Sequence, residues 1–444
     1  MPPGRSRRLS GGDSALFCAG VSMQPPIVYP VGLASAVGEG AGHEERRHPA
    51  QMIDRWVAAE VDALDVLATA NMTDICIECV EVRYLGIPTG IRPFRLPNGR
   101  LTPTDMPVVV LRLTDREGFQ GFSLLWFQQQ AQAALVGVGL SHLCAEVAPG
   151  SNLAELDAGI RAATRFIGEH GVMAFASSGL RMAAEDLVCR RRGVGLADLI
   201  GRRRDRVQLY QTGLMLQSSI DELVAEATSM CARGVRAMKM LVGKPDLDED
   251  VDRIHAVRDC LPADAVIMVD ALQRWDNAET ALRAAERFEP FVINWIEDPL
   301  PHGDMAGYRD LAERCPIPIA SGETLFAPAD VDQLVGAGVP YIVGEPERLG
   351  GLWAWLHIAE KVRESGATML PHLYPHVSAQ LLATLRQDDV WLEYVPWFDQ
   401  LVSQQLSFSA DGTIHVDSGP GAGFTPCPDA LDRLASGPWR RIDR

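Results

Sequence analysis

The chain has 444 residues, with 41 Lys and Arg against 58 Asp and Glu, a formal net charge of −17, and 47% apolar residues. This is material for a large core, and the acidic balance argues against a nucleic-acid partner, which needs clustered Lys and Arg. No stretch approaches the roughly 18 unbroken apolar residues of a membrane span, so no membrane partner is expected.

Residues 1–71 read as a disordered or mis-annotated extension: Arg5-Ser-Arg-Arg8, a Gly/Ser/Pro-rich passage and one short helical pattern at 51–68. The basic start and the apolar run at 15–21 resemble a signal peptide, but the run is short and Gly11-Gly12-Asp13 interrupts the segment, so secretion is not expected. The 9 cysteines are odd in number and without framework spacing, as in reduced thiols of a cytoplasmic protein. Cys76 and Cys79 form a C-x-x-C, but they fall in the alternating run Ile75-Cys-Ile-Glu-Cys-Val80, which reads as a strand.

From 72 to 200 the pattern is that of an α+β domain. Strands are expected at 75–85, 108–113 and 121–127, with a turn at Asp115-Arg-Glu-Gly118 and helical periodicity thereafter. From 201 to 400 short apolar strands alternate with amphipathic helices. The strands fall at 207–210, 237–241, 265–269, 292–296, 317–320, 341–343, 367–370 and 390–392. Ser219 and Glu222 form a capping box ahead of Ile220, Leu223, Val224 and Ala227 at helical spacing. Parallel strands need such crossovers, and eight at this spacing, with seven intervening helices, read as a closed barrel. The tail, 401–444, reads as a return to the first domain.

Residues at the C-terminal ends of barrel strands converge on one pocket. Three successive strands end in an acid, Asp270, Glu297 and Glu323, about one βα unit apart. One such acid could be a helix N-cap. Three packed at one height would repel unless a cation neutralised them, and carboxylate oxygens suit a hard divalent ion, Mg²⁺ by preference. Further round lie Glu345 and His372, a carboxylate and an imidazole suited to act as an oriented proton-abstracting base. Lys239 stands on the second strand and Glu393 on the eighth. His376 is read as a pocket or structural residue.

These residues resemble a family. The segments Ala-Met-Lys-Met-Leu-Val-Gly at 237–243, Val-Asp-Ala-Leu-Gln-Arg-Trp at 269–275, Trp-Ile-Glu-Asp-Pro-Leu at 295–300 and Ile-Ala-Ser-Gly-Glu-Thr at 319–324 are similar to the enolase superfamily, mandelate racemase group. So are Glu-Pro-Glu-Arg-Leu-Gly-Gly at 345–351 and Pro-His-Leu-Tyr-Pro-His-Val-Ser-Ala at 371–379, and the likeness runs from about 73 to the C-terminus. The resemblance implies an α/β fold, a (β/α)7β TIM-type barrel under an N-terminal α+β capping domain. It implies Mg²⁺ on Asp270, Glu297 and Glu323, abstraction of the proton α to a carboxylate, stabilisation of the enediolate by the metal, and a homo-oligomer.

Three departures from the family pattern stand out. Its second-strand Lys-x-Lys reads Lys239-Met-Leu241 here, so one substrate face lacks its base. The acid beside the histidine, normally Asp, is Glu345, and the Asn two residues after the first metal ligand is Leu272. His372, oriented by Glu345, is then the surviving base, with Lys239 and Glu393 binding the substrate carboxylate. Dehydration of a sugar acid to a 2-keto-3-deoxy acid needs only one base, which returns its proton to the departing hydroxide. The alternatives are a racemase or epimerase, with Lys244 or Lys239 as the second base, and a lapsed homologue that binds Mg²⁺ and an acid without turnover. The segments 86–100 and 122–127 are expected to select the substrate, through Arg92, Arg95 and Trp126, with Tyr210 as a further contact.

Overall fold

The computed structural model describes residues 74–147 and 150–442. The apolar run at 15–21 and the helical pattern at 51–68 lie outside the described residues. The first described sheet is an antiparallel meander of β1 (Ile77–Pro88), β2 (Asp105–Asp115) and β3 (Gln120–Trp126). Inward residues of β2 such as Val109, Leu111 and Leu113 pack with Leu125 beneath three helices. These are α1 (Gln130–Glu146), α2 (Leu153–Thr164) and α3 (Val172–Arg192). The helix α3 lies so close on β3 that a Cβ at Gly121 would stand 2.2 Å from the Ala183 carbonyl oxygen.

After the short α4 (Leu196–Ile200) comes the barrel. Its strands are β4 (Arg206–Gly213), β5 (Ala237–Leu241), β6 (Val266–Asp270), β7 (Ile293–Glu297), β8 (Ile319–Ser321), β9 (Tyr341–Gly344), β10 (Thr368–Pro371) and β11 (Trp391–Tyr394). They pair in parallel in the order β10-β9-β8-β7-β6-β5-β4-β11. Seven helices make the crossovers: α5 (Ile220–Ala232), α6 (Leu247–Cys260), α7 (Ala278–Phe288), α8 (Met305–Arg314), α9 (Pro328–Gly336), α10 (Leu352–Glu364) and α11 (Pro375–Leu382). The fold is therefore the (β/α)7β barrel with an N-terminal α+β cap that the sequence pattern implied. At α5 the capping box forms as read: Ser219 Oγ accepts from the Glu222 amide at 3.3 Å, and Glu222 Oε2 accepts from the Ser219 amide at 2.8 Å.

The tail differs in part from its reading as a return to the first domain. β12 (Thr413–His415) pairs antiparallel with β4, because Ile414 is fully buried against the barrel. After β12 the chain returns to the cap. The Ala422 amide donates to Asp186 of α3 at 2.7 Å, and after α12 (Pro428–Leu434) the closing β13 (Arg440–Arg441) pairs with β1. The register that matters for chemistry is at the strand ends, where Leu241 pairs with Asp270 and Asp270 with Glu297. No helix among the described residues is long and apolar enough to cross a membrane.

Candidate active site

Level strand ends place the charged side chains in one ring. Glu323 reaches it from the turn after β8, where Gly322 holds φ at 136°, and a Cβ there would stand 2.8 Å from the Val343 carbonyl oxygen. Lys239 Nζ, on β5, stands 3.0 Å from Glu393 Oε1 and 3.5 Å from Asp270 Oδ2, and it hydrogen-bonds Glu297. The other oxygen of Glu297 accepts from the Trp295 indole at 3.1 Å, and Asp270 Oδ1 accepts from the Leu272 amide at 2.8 Å. Thr212 donates to Glu393 Oε1, and the Leu373 amide donates to its Oε2 at 3.2 Å. His372, at the end of β10, has Nδ1 2.6 Å from Glu345 Oε1, with Nε2 3.4 Å from Glu323 and 3.5 Å from Glu393. The second oxygen of Glu345 takes a hydrogen bond from Arg348.

Above this ring opens a cleft of about 840 Å³ between the barrel mouth and the cap. Its floor is Thr212, Lys239, Asp270, Glu323, His372 and Glu393, with Leu241 and Leu272 beside them. Trp126 lines it too, with its ring centroid 6.2 Å from that of His372 and its indole N–H without a hydrogen-bond partner.

The same arrangement is met in known proteins. Residues 222–430 match the family model described as enolase C-terminal domain-like. The L-talarate/galactarate dehydratase of Salmonella typhimurium is 30% identical over 368 residues, 80% of this chain and 90% of the relative. The chain belongs to the enolase superfamily. Another superfamily relative, the 3,6-anhydro-alpha-L-galactonate cycloisomerase of Streptomyces coelicolor, is 27% identical over 365 residues, 81% of this chain and 100% of the relative. Among solved structures, the L-talarate dehydratase of Polaromonas sp. JS666, complexed with Mg and L-glucarate, superposes with a TM-score of 0.74 at 27% identity. The match covers 83% of this chain and 99% of that one.

For this superfamily member, burial and charge set the protonation of the ring. Burial lowers the His372 imidazole, but Glu393, Glu345 and Glu323 together raise it to about 10. Burial raises Glu345, yet Arg348 and His372 outweigh it and hold the carboxylate at about 2. Glu393 lies at about 2 as well, with burial opposed by Lys239 and His372. The three proposed metal ligands behave oppositely. Burial raises Asp270, carries Glu297 to about 7 and Glu323 to about 8, and neighbouring carboxylates add to it. The lysine and histidine cations thus leave these three oxygen donors under-compensated, which is the chemistry that fits a hard divalent cation. In the conformation described, Asp270 and Glu297 turn to Lys239 and Glu323 to His372. Among the described residues no group of three His, Cys, Asp or Glu side chains is arranged to hold a metal ion.

Not every expected contact reaches the cleft. Arg92 is exposed and pairs with Glu222 at 2.7 Å, because the 86–100 loop folds over the start of α5. Arg95 is exposed and donates to the Gly99 carbonyl at 2.8 Å, closing its own turn. Tyr210 lies wholly buried inside the barrel under Lys239, whose Nζ is 5.4 Å from its ring centre, and it packs edge-on against Trp295. It sits too deep to touch a ligand in the cleft, since its place on β4 is below the strand end. His376 Nε2 lies 3.0 Å from the Gln404 carbonyl oxygen, a structural tie.

The sequence reading missed Glu347. It is fully buried, takes hydrogen bonds from Tyr374 and, at 3.3 Å, from the Trp126 amide, and lies against Glu345. Burial, then the charge of Glu345, raises it well above the usual carboxylate range, which favours its protonated form. The Glu-Pro-Glu run at 345–347 was the only signal, since nothing in spacing reports a second shielded acid.

Proposed function

We propose that this protein dehydrates a sugar acid, a 2,3-dihydroxycarboxylate, to a 2-keto-3-deoxy acid, with His372 as the single acid–base group. The observation that carries the reading is the asymmetry of the site. His372 and its partner Glu345 stand on one side, and across the cleft the position of the family's second lysine is the buried Leu241. Leucine cannot take a proton, and Lys244, the nearest replacement, pairs instead with Glu249 at 3.3 Å. A racemase needs a base on each face, whereas elimination needs one. The dehydratase relative supports the same outcome.

Asp270, Glu297 and Glu323 would hold Mg²⁺, which when bound supplies Lewis acidity toward the substrate carboxylate. Lys239 would neutralise that carboxylate from the other side, positioned by Glu393 and Thr212. The acids that raise His372 include Glu323, so Mg²⁺ held there would favour loss of the imidazolium proton. In its neutral form His372 would then remove the α-proton at Nε2, while Glu345 at Nδ1 stabilises the imidazolium that forms. The C3–O bond then breaks, and the imidazolium returns its proton to the leaving hydroxide as water. The enol left behind tautomerises to the keto acid. Mass and charge balance with no oxidant or reductant.

The free cysteines support a reducing cytoplasmic setting, and membership of the superfamily supports a homo-oligomer acting in carbohydrate acid catabolism. The test is a screen of Mg²⁺-loaded protein against mono- and diacid sugars, with 2-keto acids detected by semicarbazide. Product that disappears in His372→Asn and Glu297→Gln is the expected result. Interconversion of C2 epimers without loss of water would overturn the reading in favour of an epimerase.

A further inference from the structure

The cleft above the ring is not built like a polyol site. Beyond its charged floor, the cap contributes mainly apolar residues, Ile91, Phe94, Leu96 and Met106, with Thr89, Thr102, Gln128 and the Trp126 indole as its polar groups, and the barrel mouth contributes Leu241 and Leu272. Lys239 is the only Lys or Arg among the described lining residues, and its ammonium already faces Glu297, Glu393 and Asp270. The arginines that could reach the far end are engaged outside it: Arg92 with Glu222, Arg95 with the Gly99 carbonyl, and Arg274 with the Arg95 carbonyl.

Leu272 adds a second, independent observation. It holds φ at 48°, in the left-handed region where Gly or Asn is at ease and a branched aliphatic residue is strained. Strain kept at the mouth of a site points to a side chain with work to do there. That side chain lines the cleft beside Leu241, on the pairing neighbour of its strand.

We propose that the substrate of this site is a monocarboxylate whose chain beyond the two reacting carbons is apolar: an alkyl- or aryl-bearing 2,3-dihydroxy acid. This rests on the dehydration reading, keeps its 2,3-dihydroxycarboxylate head and replaces the polyhydroxy chain of a sugar acid by an apolar one. The carboxylate and the two hydroxyls fill the charged floor, and the alkyl or aryl group fills the wall of Ile91, Phe94, Leu96 and Leu272. A second carboxylate placed there would be stripped of water with no cation to meet it, and extra hydroxyls along the Ile91, Phe94, Leu96 and Leu272 wall would lose more hydrogen bonds to water than Thr89, Thr102, Gln128 and the Trp126 indole replace. Glucarate, the ligand of the Polaromonas structure, carries both of these features, so the departure concerns the far half of the ligand and leaves the reacting half alone.

The test compares three acids of equal length on the Mg²⁺-loaded full chain, each in all four C2/C3 configurations: 2,3-dihydroxyhexanoate, the hexonate polyol and the hexarate diacid. Keto-acid formation should favour 2,3-dihydroxyhexanoate by about tenfold or more in kcat/KM over both others. A preference for hexonate or hexarate overturns the proposal. Calorimetric binding of 2-hydroxyhexanoate against hexarate separates the two readings. If no acid loses water yet 2-hydroxyhexanoate binds about tenfold tighter, the substrate class stands and the dehydration falls. If it binds no tighter than hexarate, or neither binds, the proposal falls. Leu96→Arg, which places a cation on the wall, should move the preference about tenfold or more toward hexarate, and an unmoved preference would count against the wall as the specificity element.

Discussion

Glu345 Oε1 lies 2.6 Å from Nδ1 of His372, so the glutamate that replaces the family's aspartate makes the same contact from one methylene further back. The extra length is taken up because Arg348 binds its second oxygen and Glu347 lies behind it, which fixes the longer side chain in one place. A carboxylate on Nδ1 sets the tautomer that leaves Nε2 free to take a proton, and it stabilises the imidazolium afterwards. Glu345→Gln keeps the shape and removes the charge. The expected outcome is a fall of about 10²- to 10⁴-fold in kcat with KM nearly unchanged. Solvent deuterium exchange at Cα should fall in parallel, and exchange at the wild-type rate would remove Glu345 from the mechanism.

On the proposed mechanism, Leu241 decides the number of bases. It lies at the strand end beside Asp270, on the cleft, buried and apolar. Leu241→Lys would restore the family's second lysine. Desolvation would lower its ammonium and the Asp270 carboxylate would raise it, so the lysine is expected to exchange the α-proton on the second face where Mg²⁺ neutralises that acid. The variant should gain slow epimerisation at C2, read by chiral chromatography of recovered substrate, while dehydration persists within about tenfold. Epimerisation already present in the wild type would show that another group serves that face.

Much of this was legible in the sequence, for physical reasons. Barrel strands are short apolar runs that end where a polar residue meets solvent, so Asp270 and Glu297 marked the ends of β6 and β7 directly. The histidine and its acid were legible by the same rule. Arg92 and Tyr210 were not, because loop direction and depth along a strand are tertiary facts. An arginine in a cap loop can equally well cover a neighbouring helix, as Arg92 does over α5. β12 was likewise hidden, since three residues carry too little alternation to say which sheet they join. The apolar wall depends on Phe94 and Leu96 alternating with Arg92 and Arg95 along one loop, and the sequence gives no sign of which set faces inward.

Glu347 ties the cap to the base. Its carboxyl receives the Trp126 amide of β3 at the end of the cap sheet and the Tyr374 hydroxyl next to His372. Its raised carboxyl, when protonated, can donate a hydrogen bond to Glu345. Glu347→Gln preserves both acceptor and donor, and should change stability by less than about 1 kcal/mol. Glu347→Ala leaves the Tyr374 hydroxyl buried without its acceptor, while the Trp126 amide keeps the Tyr374 oxygen at 3.1 Å, at a cost of about 1–3 kcal/mol. Urea unfolding monitored by tryptophan fluorescence separates the two. Equal destabilisation by both would mean that Glu347 carries a charge there.

With Mg²⁺ on Asp270, Glu297 and Glu323, as proposed, the titration of these acids would set how the ion stabilises the fold. Burial first, and neighbouring carboxylates second, raise Glu297 to about 7 and Glu323 to about 8, from 4.5. Their folded values exceed their unfolded ones, so the stability linked to them is fully present below the unfolded value and is lost as pH rises through 7 to 8. A metal ion competes with those protons, because only the deprotonated carboxylates can bind it. Without Mg²⁺ the melting temperature should therefore fall between about pH 5.5 and about pH 8.5, and saturating Mg²⁺ should restore it. The gain from Mg²⁺ should be small at the acid end and several degrees at the alkaline end. Glu323→Gln, which removes one of the two titrating acids, should flatten the metal-free profile and shrink the alkaline gain together. An Mg²⁺ gain equal at both ends would mean that these carboxylates are already ionised in the metal-free fold, or that the ion binds elsewhere.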